Sequence, residues 1–347
     1  MTRAIPAACF AVVATLSPAP SQAPPVTWAP QTSGVTVRLR GVSAVSTNVA
    51  WASGAGGTVL RTTDGGRTWQ RRPVPGAESL DFRDVDALGD STAVVLSIGP
   101  GDTSRIYRTE DGGASWGERF RNTDPKAFFD AVAFGDATHG VAFSDSVGGR
   151  FVIRTTADGG RTWMAIAPER LPPALPEEGA FAASGTNVAM LGADRIWIAT
   201  SKSRVLRSTD GGRSWSVHTT PVATGQATGI FSIAFRDASN GIVVGGNYEQ
   251  EDEARDNVAV TDDGGRTWVR PPGTGLSGFR SVVAWLPGRG QSLLAIGPRG
   301  SDWSAAGGRS WTPAGGDGYD AFSLSPRGDV GWATGAGGRI ARVAFAP

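Results

Sequence analysis

Five aspartates recur at one place in one phrase, and a carboxylate presented repeatedly on glycine-rich turns could bind cations or brace the turns themselves. The copies are TTDGGRTW (62–69), TEDGGASW (109–116), TADGGRTW (156–163), STDGGRSW (208–215) and TDDGGRTW (261–268). A sixth, SAAGGRSW (304–311), keeps the glycines and the tryptophan but has Ala306 in the aspartate's place. An aspartate can accept backbone N–H bonds within its own turn, and a neighbouring Thr or Ser adds a second tether. That local chemistry accounts for the spacing. Asp64, Asp111, Asp158, Asp210 and Asp263 are therefore read as structural, with no metal site, and Arg67, Arg161, Arg213 and Arg266 as solvated hairpin residues.

The elements that carry these turns follow from the sequence around them. In TVLRTTDGGRTWQRR (58–72) apolar and polar residues alternate on both sides of Asp-Gly-Gly. This pattern predicts a strand, a tight turn with positive φ at glycine, and a returning strand whose first large apolar residue is the tryptophan. The box positions at 64, 111, 158, 210, 263 and 306 are separated by 47, 47, 52, 53 and 43 residues. Four-stranded propeller blades occupy roughly 40–50 residues each. Two-helix repeats share that length, but 49 glycines in 347 residues favour short strands. Within the third unit the expected strands are 127–134, 140–146, 150–156 and 162–167, counted from axis to rim. The fourth opening, from Gly179, fits the pattern less well.

Closure fixes the expected number of blades. A further blade start at 319–325 is followed by two strand-like runs and no box, whereas Val26-Thr27-Trp28-Ala29-Pro30 resembles the second half of a box. The expected fold is an all-β, seven-bladed propeller of four-stranded blades spanning 24–347. Its N-terminal segment supplies the outer strand of the last blade, which removes a free sheet edge.

Such a ring has one face for the box hairpins and another for a ligand. Residues near the start of each inner strand approach the axis on the second face: Arg38, Arg40, Asp81, Arg83, Lys126, Asp130, Ser232, Arg280, Tyr319 and Asp320. Arg40, Arg83 and Arg280 converging on a funnel would suit a carboxylate, a phosphate or an acidic protein segment. Alternatively, arginines paired with Asp84, Asp130 or Asp320 would only satisfy the channel wall. The fifth unit carries an acidic insert, NYEQEDEARDN (247–257), read as a solvated loop or, alternatively, as a calcium ligand without EF-hand spacing. LPPALPEEG (171–179) reads as a stiff connection.

Composition narrows the chemistry. A net charge of +1 and no basic stripe argue against nucleic acid as a partner. Two histidines, His139 and His218, exclude a histidine-rich metal centre, and no glycine motif precedes a helix as a dinucleotide site requires, so no cofactor is expected. Arg3, the apolar run 7–16 and Ser21-Gln22-Ala23 read as a signal peptide cleaved near Ala23, which predicts a periplasmic or secreted protein with no transmembrane segment. Cys9, the only cysteine, lies in that leader, where lipid attachment is the weaker alternative.

The phrase S/T-x-D-G-G-x-S/T-W resembles the Asp-box, or BNR repeat, of sialidases, other glycoside hydrolases, sortilin-type receptors and compact bacterial and plastid propellers. Longer phrases such as AVAFGDATHGVAF (131–143) and IAFRDASNGIVVGG (233–246) are most similar to the last group, typified by photosystem II assembly and stability factors. The resemblance implies an exported, non-catalytic scaffold, monomeric, binding a protein or peptide during assembly of an envelope complex. The alternative it leaves open is a glycoside hydrolase. In a sialidase-like version the arginines would hold the sugar carboxylate and Tyr319 would be the nucleophile, although the Arg-Ile-Pro phrase and a partner glutamate are absent. In a two-aspartate version Asp81 and Asp130 would stand about 5–9.5 Å apart.

Overall fold

A computed structural model describes residues 26–346; the expected leader 1–23 and Cys9 lie outside the described residues. Alternating strands and positive-φ glycines build seven antiparallel sheets. Blade 1 runs Leu39–Ala44, Ala50–Gly54, Thr58–Thr62, Gln70–Arg71, and blades 2 to 6 repeat the order from axis to rim. In blade 3 the strands are Phe129–Phe134, Gly140–Val147, Arg150–Thr156 and Met164–Ala165.

Blade 7 closes the ring. Its sheet order places Val26–Gln31 outside Ile340–Phe345, then Val330–Thr334 and Ala321–Leu324. Trp28 pairs with Val343 and Gln31 with Ile340. The strand at the start of the described chain thus fastens the one at its end.

Blade 5 differs from its neighbours, because its sheet has three strands and only the isolated bridge Val260↔Val269 where the fourth would lie. Pro271 and Pro272 follow directly, and neither has an N–H to extend a ladder.

The core lies between the blades. Seven apolar clusters each span one pair of neighbouring sheets, such as Trp51 and Val59 of blade 1 with Phe82 and Val95 of blade 2. The closing pair has its own, with Trp332 and Ile340 of blade 7 against Leu39 and Leu60 of blade 1. The box tryptophans join these clusters by packing toward the preceding blade, as Trp163 does against Val94 and Leu96. Full burial of each such large side chain is worth about 1.5–3 kcal/mol.

Inner strands are stitched side chain to backbone. Ser323 Oγ accepts the Ala44 N–H at 3.0 Å, Ser43 Oγ accepts Ala87 N–H at 3.0 Å, and Ser232 Oγ accepts Val283 N–H at 3.1 Å. Between blades 2 and 3 carboxylates replace the hydroxyls, with Asp84 accepting from Val132 at 2.7 Å and Asp86 from Phe134 at 2.9 Å.

The box hairpins adopt the expected Asx geometry. Asp64 Oδ1 accepts the Thr68 N–H at 2.9 Å, its Oδ2 accepts the Thr68 hydroxyl at 2.7 Å, and Thr62 Oγ1 accepts the Gly66 N–H at 2.9 Å. Gly65 and Gly66 have φ of 77° and 83°. The same bonds recur at Asp111, Asp158, Asp210 and Asp263. Arg67, Arg161 and Arg266 donate back to their own turn's carbonyl.

Candidate functional site at the axis mouth

Each inner strand begins on the face opposite the box hairpins, because a box joins the far end of strand three to strand four. Four inner strands carry a one-residue bulge near this start: between Leu39 and Gly41, Phe82 and Asp84, Phe129 and Ala131, and Ile230 and Ser232. A bulge leaves one residue unpaired and re-aims its side chain. The residues so released are Arg40, Arg83, Asp130 and Phe231. Ser281 and Asp320 occupy the same place in blades 6 and 7, one residue ahead of the first strand pairs, Val282↔Ile296 and Ala321↔Thr334. All six line a cavity of about 480 Å³ on the axis, to which blade 4 contributes Ala180 to Ala183.

One register step separates this mouth from the wall. Arg280 and Tyr319 stand immediately before Ser281 and Asp320, and an odd-numbered shift turns a side chain to the other face. Arg280 is only 2% exposed. Its Nε donates to Asp302 Oδ2 at 2.8 Å, its Nη2 lies 2.8 Å from the same oxygen and donates to Ser277 Oγ, and burial lowers its pKa. Tyr319 is equally buried, stacks on Trp28 at 5.5 Å and receives Arg339 over its ring at 5.5 Å. Neither lines the cavity, so Arg280 does not converge with Arg40 and Arg83. Lys126 is exposed and outside it, and Ser232 is buried in the inter-blade stitch.

The arginines at the mouth are Arg38, Arg40 and Arg83. Arg38 forms a fork with Asp320, two bonds at 2.7 Å. Arg83 binds Asp81 at 2.9 Å and donates across to the Ala182 carbonyl at 2.9 Å. Arg40 has no hydrogen-bond partner among the described residues, and burial, with Arg83 and Arg38 beside it, pushes its pKa down to about 10. It is a cation held among cations.

A carboxyl pair stands beside them. Asp130 is 1% exposed, and burial together with the neighbouring Asp145 carboxyl raises its pKa well above the ordinary range. Asp145, also raised by burial, is the neighbouring carboxyl, so ionisation of both together is disfavoured. Asp145 Oδ1 accepts the Ala180 N–H at 3.0 Å. Gly179 permits that approach, since a Cβ there would lie 1.5 Å from the same oxygen. Asp130 thus partners Asp145, and Asp81, bound to Arg83, is outside the cavity lining.

Facing these charges are aromatics that the residue pattern alone did not single out. Phe181 stacks on Phe231 at 4.0 Å and 4°, Phe279 meets Phe231 edge-on at 4.6 Å, and Tyr248 approaches both Phe181 and Phe231 at 6.0 Å. Phe231 and Phe279 stood in the blade openings; Tyr248 stood in the acidic insert. In that insert Glu251 lies 3.3 Å and Asp252 3.9 Å from Arg299. No group of three or more carboxylates, histidines or cysteines able to hold a metal occurs among the described residues. The irregular fourth opening is explained by Glu178, buried and bound to Thr200 at 2.7 Å and to Arg204, which pins the proline-rich connection against blade 4.

No protein-family profile and no curated protein matches the chain. Solved structures do. YCF48 bound to D1 peptide superposes with a TM-score of 0.63 at 18% identity, covering 93% of this chain and 96% of that one. YCF48 from Cyanidioschyzon merolae gives 0.61 at 20%, covering 92% and 99%. The GH74 xyloglucanase from Xanthomonas campestris gives 0.60 at 16%, covering 91% of this chain and 53% of the enzyme, so the chain spans about half the enzyme's length. At these identities the likeness is one of fold: a seven-bladed propeller like that of YCF48. Among the described residues no helix is long and apolar enough to cross a membrane.

Proposed function

We propose that this protein is a non-catalytic binding scaffold, exported after removal of its leader, whose axis mouth docks an acidic segment of a protein or peptide partner, as an assembly or maturation factor for an envelope complex would. The observation that carries this reading is Arg40. A half-buried guanidinium without a protein acceptor, between two others that have theirs, leaves its donors free for a ligand. A carboxylate entering the cavity would meet Arg40 directly and Arg38 and Arg83 at its flanks, a geometry suited to forked recognition. YCF48, with the same ring, has been solved with a peptide bound, which supports a peptide-sized occupant here. Arg40, Arg83, Asp130 and Asp320 are the residues assigned to the site; Arg38 joins them.

The test is Arg40→Ala. It is expected to weaken binding of acidic blocked peptides about tenfold to a hundredfold, as loss of a charge-assisted bond does, while the melting temperature holds or rises because a crowded cation has been removed. Calorimetric titration alongside thermal melting reads both. Undiminished binding would refute the assignment. So would turnover of a sialoside or a soluble β-glucan that Asp130→Asn abolishes, because a hydrolase would then occupy the same mouth.

A further inference from the structure

We infer that the mouth is a two-part site in which Phe181, Phe231, Phe279 and Tyr248 accept an aromatic or long aliphatic side chain of the same segment whose acidic group meets Arg40. The inference rests on the binding reading above and adds the chemistry of the second contact. Around the ring the cavity divides into two arcs. Blades 7, 1, 2 and 3 present Asp320, Arg40, Arg83 and Asp130, with Phe128 among them, whereas blades 4, 5 and 6 present mainly alanines, phenylalanines and Tyr248, with Ser281 and the insert's Glu251 at their edge.

The apolar arc is separate from the structural core. The seven inter-blade clusters are each sandwiched between two sheets, but Phe181, Phe231 and Phe279, with Ala183, form their own cluster at the axis. Phe231 and Phe279 are each 3% exposed and back the surface, and what is open to a ligand is Tyr248, 44% exposed, and half-buried Phe181, whose ring lies on the cavity. Aromatic surface facing a cavity is a binding feature when polar groups converge on the same space. Here the opposite wall holds Arg40, whose donors have no acceptor among the described residues, so an anionic group on whatever fills the apolar arc would be favoured.

The arc is also held in place before binding. Tyr248 stands at the start of the blade 5 insert, where its N–H donates to the Ala227 carbonyl at 3.1 Å. The Glu251 carbonyl in the same insert accepts the Phe279 N–H at 2.8 Å, and Asn257 Nδ2 donates to the Gly278 carbonyl at 2.9 Å. An insert tied at its start to the blade 5 opening and further along to the blade 6 opening presents a fixed ring, which lowers the entropy lost on binding. Neutral sugars are the competing occupant, but they leave Arg40 without an acceptor. The four rings also meet mainly edge to face, with interplanar angles of 72° and 78°, and form no broad platform.

The full-chain protein would be titrated calorimetrically with blocked peptides containing Phe and Glu, Ala and Glu, or Phe and Gln, each with zero to three glycines between the two residues. At the best spacing the Phe–Glu peptide is expected to bind about tenfold tighter than Ala–Glu. Tyr248→Ser and Phe181→Ala should each reduce that advantage without changing the affinity for Ala–Glu. Arg40→Ala should weaken both glutamate peptides alike and leave Phe–Gln unaffected. Equal affinity of the Phe–Glu and Ala–Glu peptides overturns the apolar subsite, and if Arg40 dependence persists the acidic-segment reading survives. A Phe preference that persists while Arg40→Ala has no effect sinks that reading instead. Binding of no peptide at millimolar concentration, or binding of cello-oligosaccharides lost in Tyr248→Ser, overturns the inference. Tyr248→Ser removes an exposed ring, so its melting temperature is expected to match the parent's and a loss of binding cannot be attributed to misfolding.

Discussion

The two faces of the ring treat charge in opposite ways. On the box face every aspartate is saturated: Asp158 accepts from the backbone of Arg161 and Thr162 and from the hydroxyls of Thr156 and Thr162. At the axis mouth Arg40 has no acceptor among the described residues, buried Asp130 stands against the Asp145 carboxyl with its Oδ2 unpartnered, and aromatic rings border the cavity. The contrast teaches where to look for function in a repeat protein. Repetition marks the groups that hold the fold together; the charged groups of the mouth are those that differ from blade to blade at an equivalent position.

The largest effect expected is at the boundary between the two regimes. Arg280 and Arg40 differ by one register step, yet Arg280 belongs to a buried pair with Asp302, whose side chains are 3% and 1% exposed. Asp302→Ala should cost about 3–5 kcal/mol by stranding a buried guanidinium, measured by chemical denaturation. Removing Arg280, which the sequence placed in the same funnel as Arg40, should likewise unfold the protein at lower denaturant. If Asp302→Ala were neutral, the distinction between wall and mouth would fail.

A smaller effect should come from the box face itself. Asp263→Ala removes four hydrogen bonds, from Arg266 N–H, Thr267 N–H and the hydroxyls of Thr261 and Thr267, and is expected to cost about 1–2 kcal/mol, as loss of an equivalent helix cap does. The sixth box offers the converse experiment. Its hairpin forms without the carboxylate, since Ser304 Oγ still accepts the Gly308 N–H at 3.0 Å and Trp311 still donates to the Gly308 carbonyl at 3.1 Å. Ala306→Asp should let Ser310 bond as its counterparts do and raise stability by about 1 kcal/mol. No gain, with a similar null at Asp263, would mean that the repeated carboxylate is not bracing the turn.

How much of this was legible follows from the same contrast. The boxes, the count of seven and the pairing of Trp28 with the final strand could be read because each depends on alternation and turn chemistry, which are local. Arg40, Arg83, Asp130 and Asp320 could be placed near the mouth for the same reason. Arg280 and Tyr319 could not be sorted from them, because a bulge shifts the register by one residue without any change in composition. The aromatic arc was hidden for a different reason. Phe231 looks like any core phenylalanine until three other blades are seen to put Arg40, Arg83 and Asp130 at its position.

The finest test uses pH, because the two sets of aspartates should respond with opposite sign. Hydrogen bonds from the Thr68 backbone and hydroxyl hold Asp64 at about 2, and those from the Ser115 hydroxyl and backbone do the same for Asp111. Their contribution is complete above the ordinary aspartate value and is withdrawn as pH falls from about 4 toward about 2. On the axis, burial raises Asp86 to about 7 and Asp84 well above the ordinary range. For these the unfolded chain releases its proton first, so stability declines as pH rises from about 4 through about 7. Asp86→Asn keeps an acceptor for the Phe134 N–H and removes the titration. It should therefore flatten the upper limb by roughly 1 kcal/mol, since solvent in the channel screens half-buried Asp86, and leave the acid limb untouched. Denaturation midpoints at pH 3, 5 and 8 would read both limbs. An upper limb that stays equally steep in Asp86→Asn would show that the axis carboxylates do not set it.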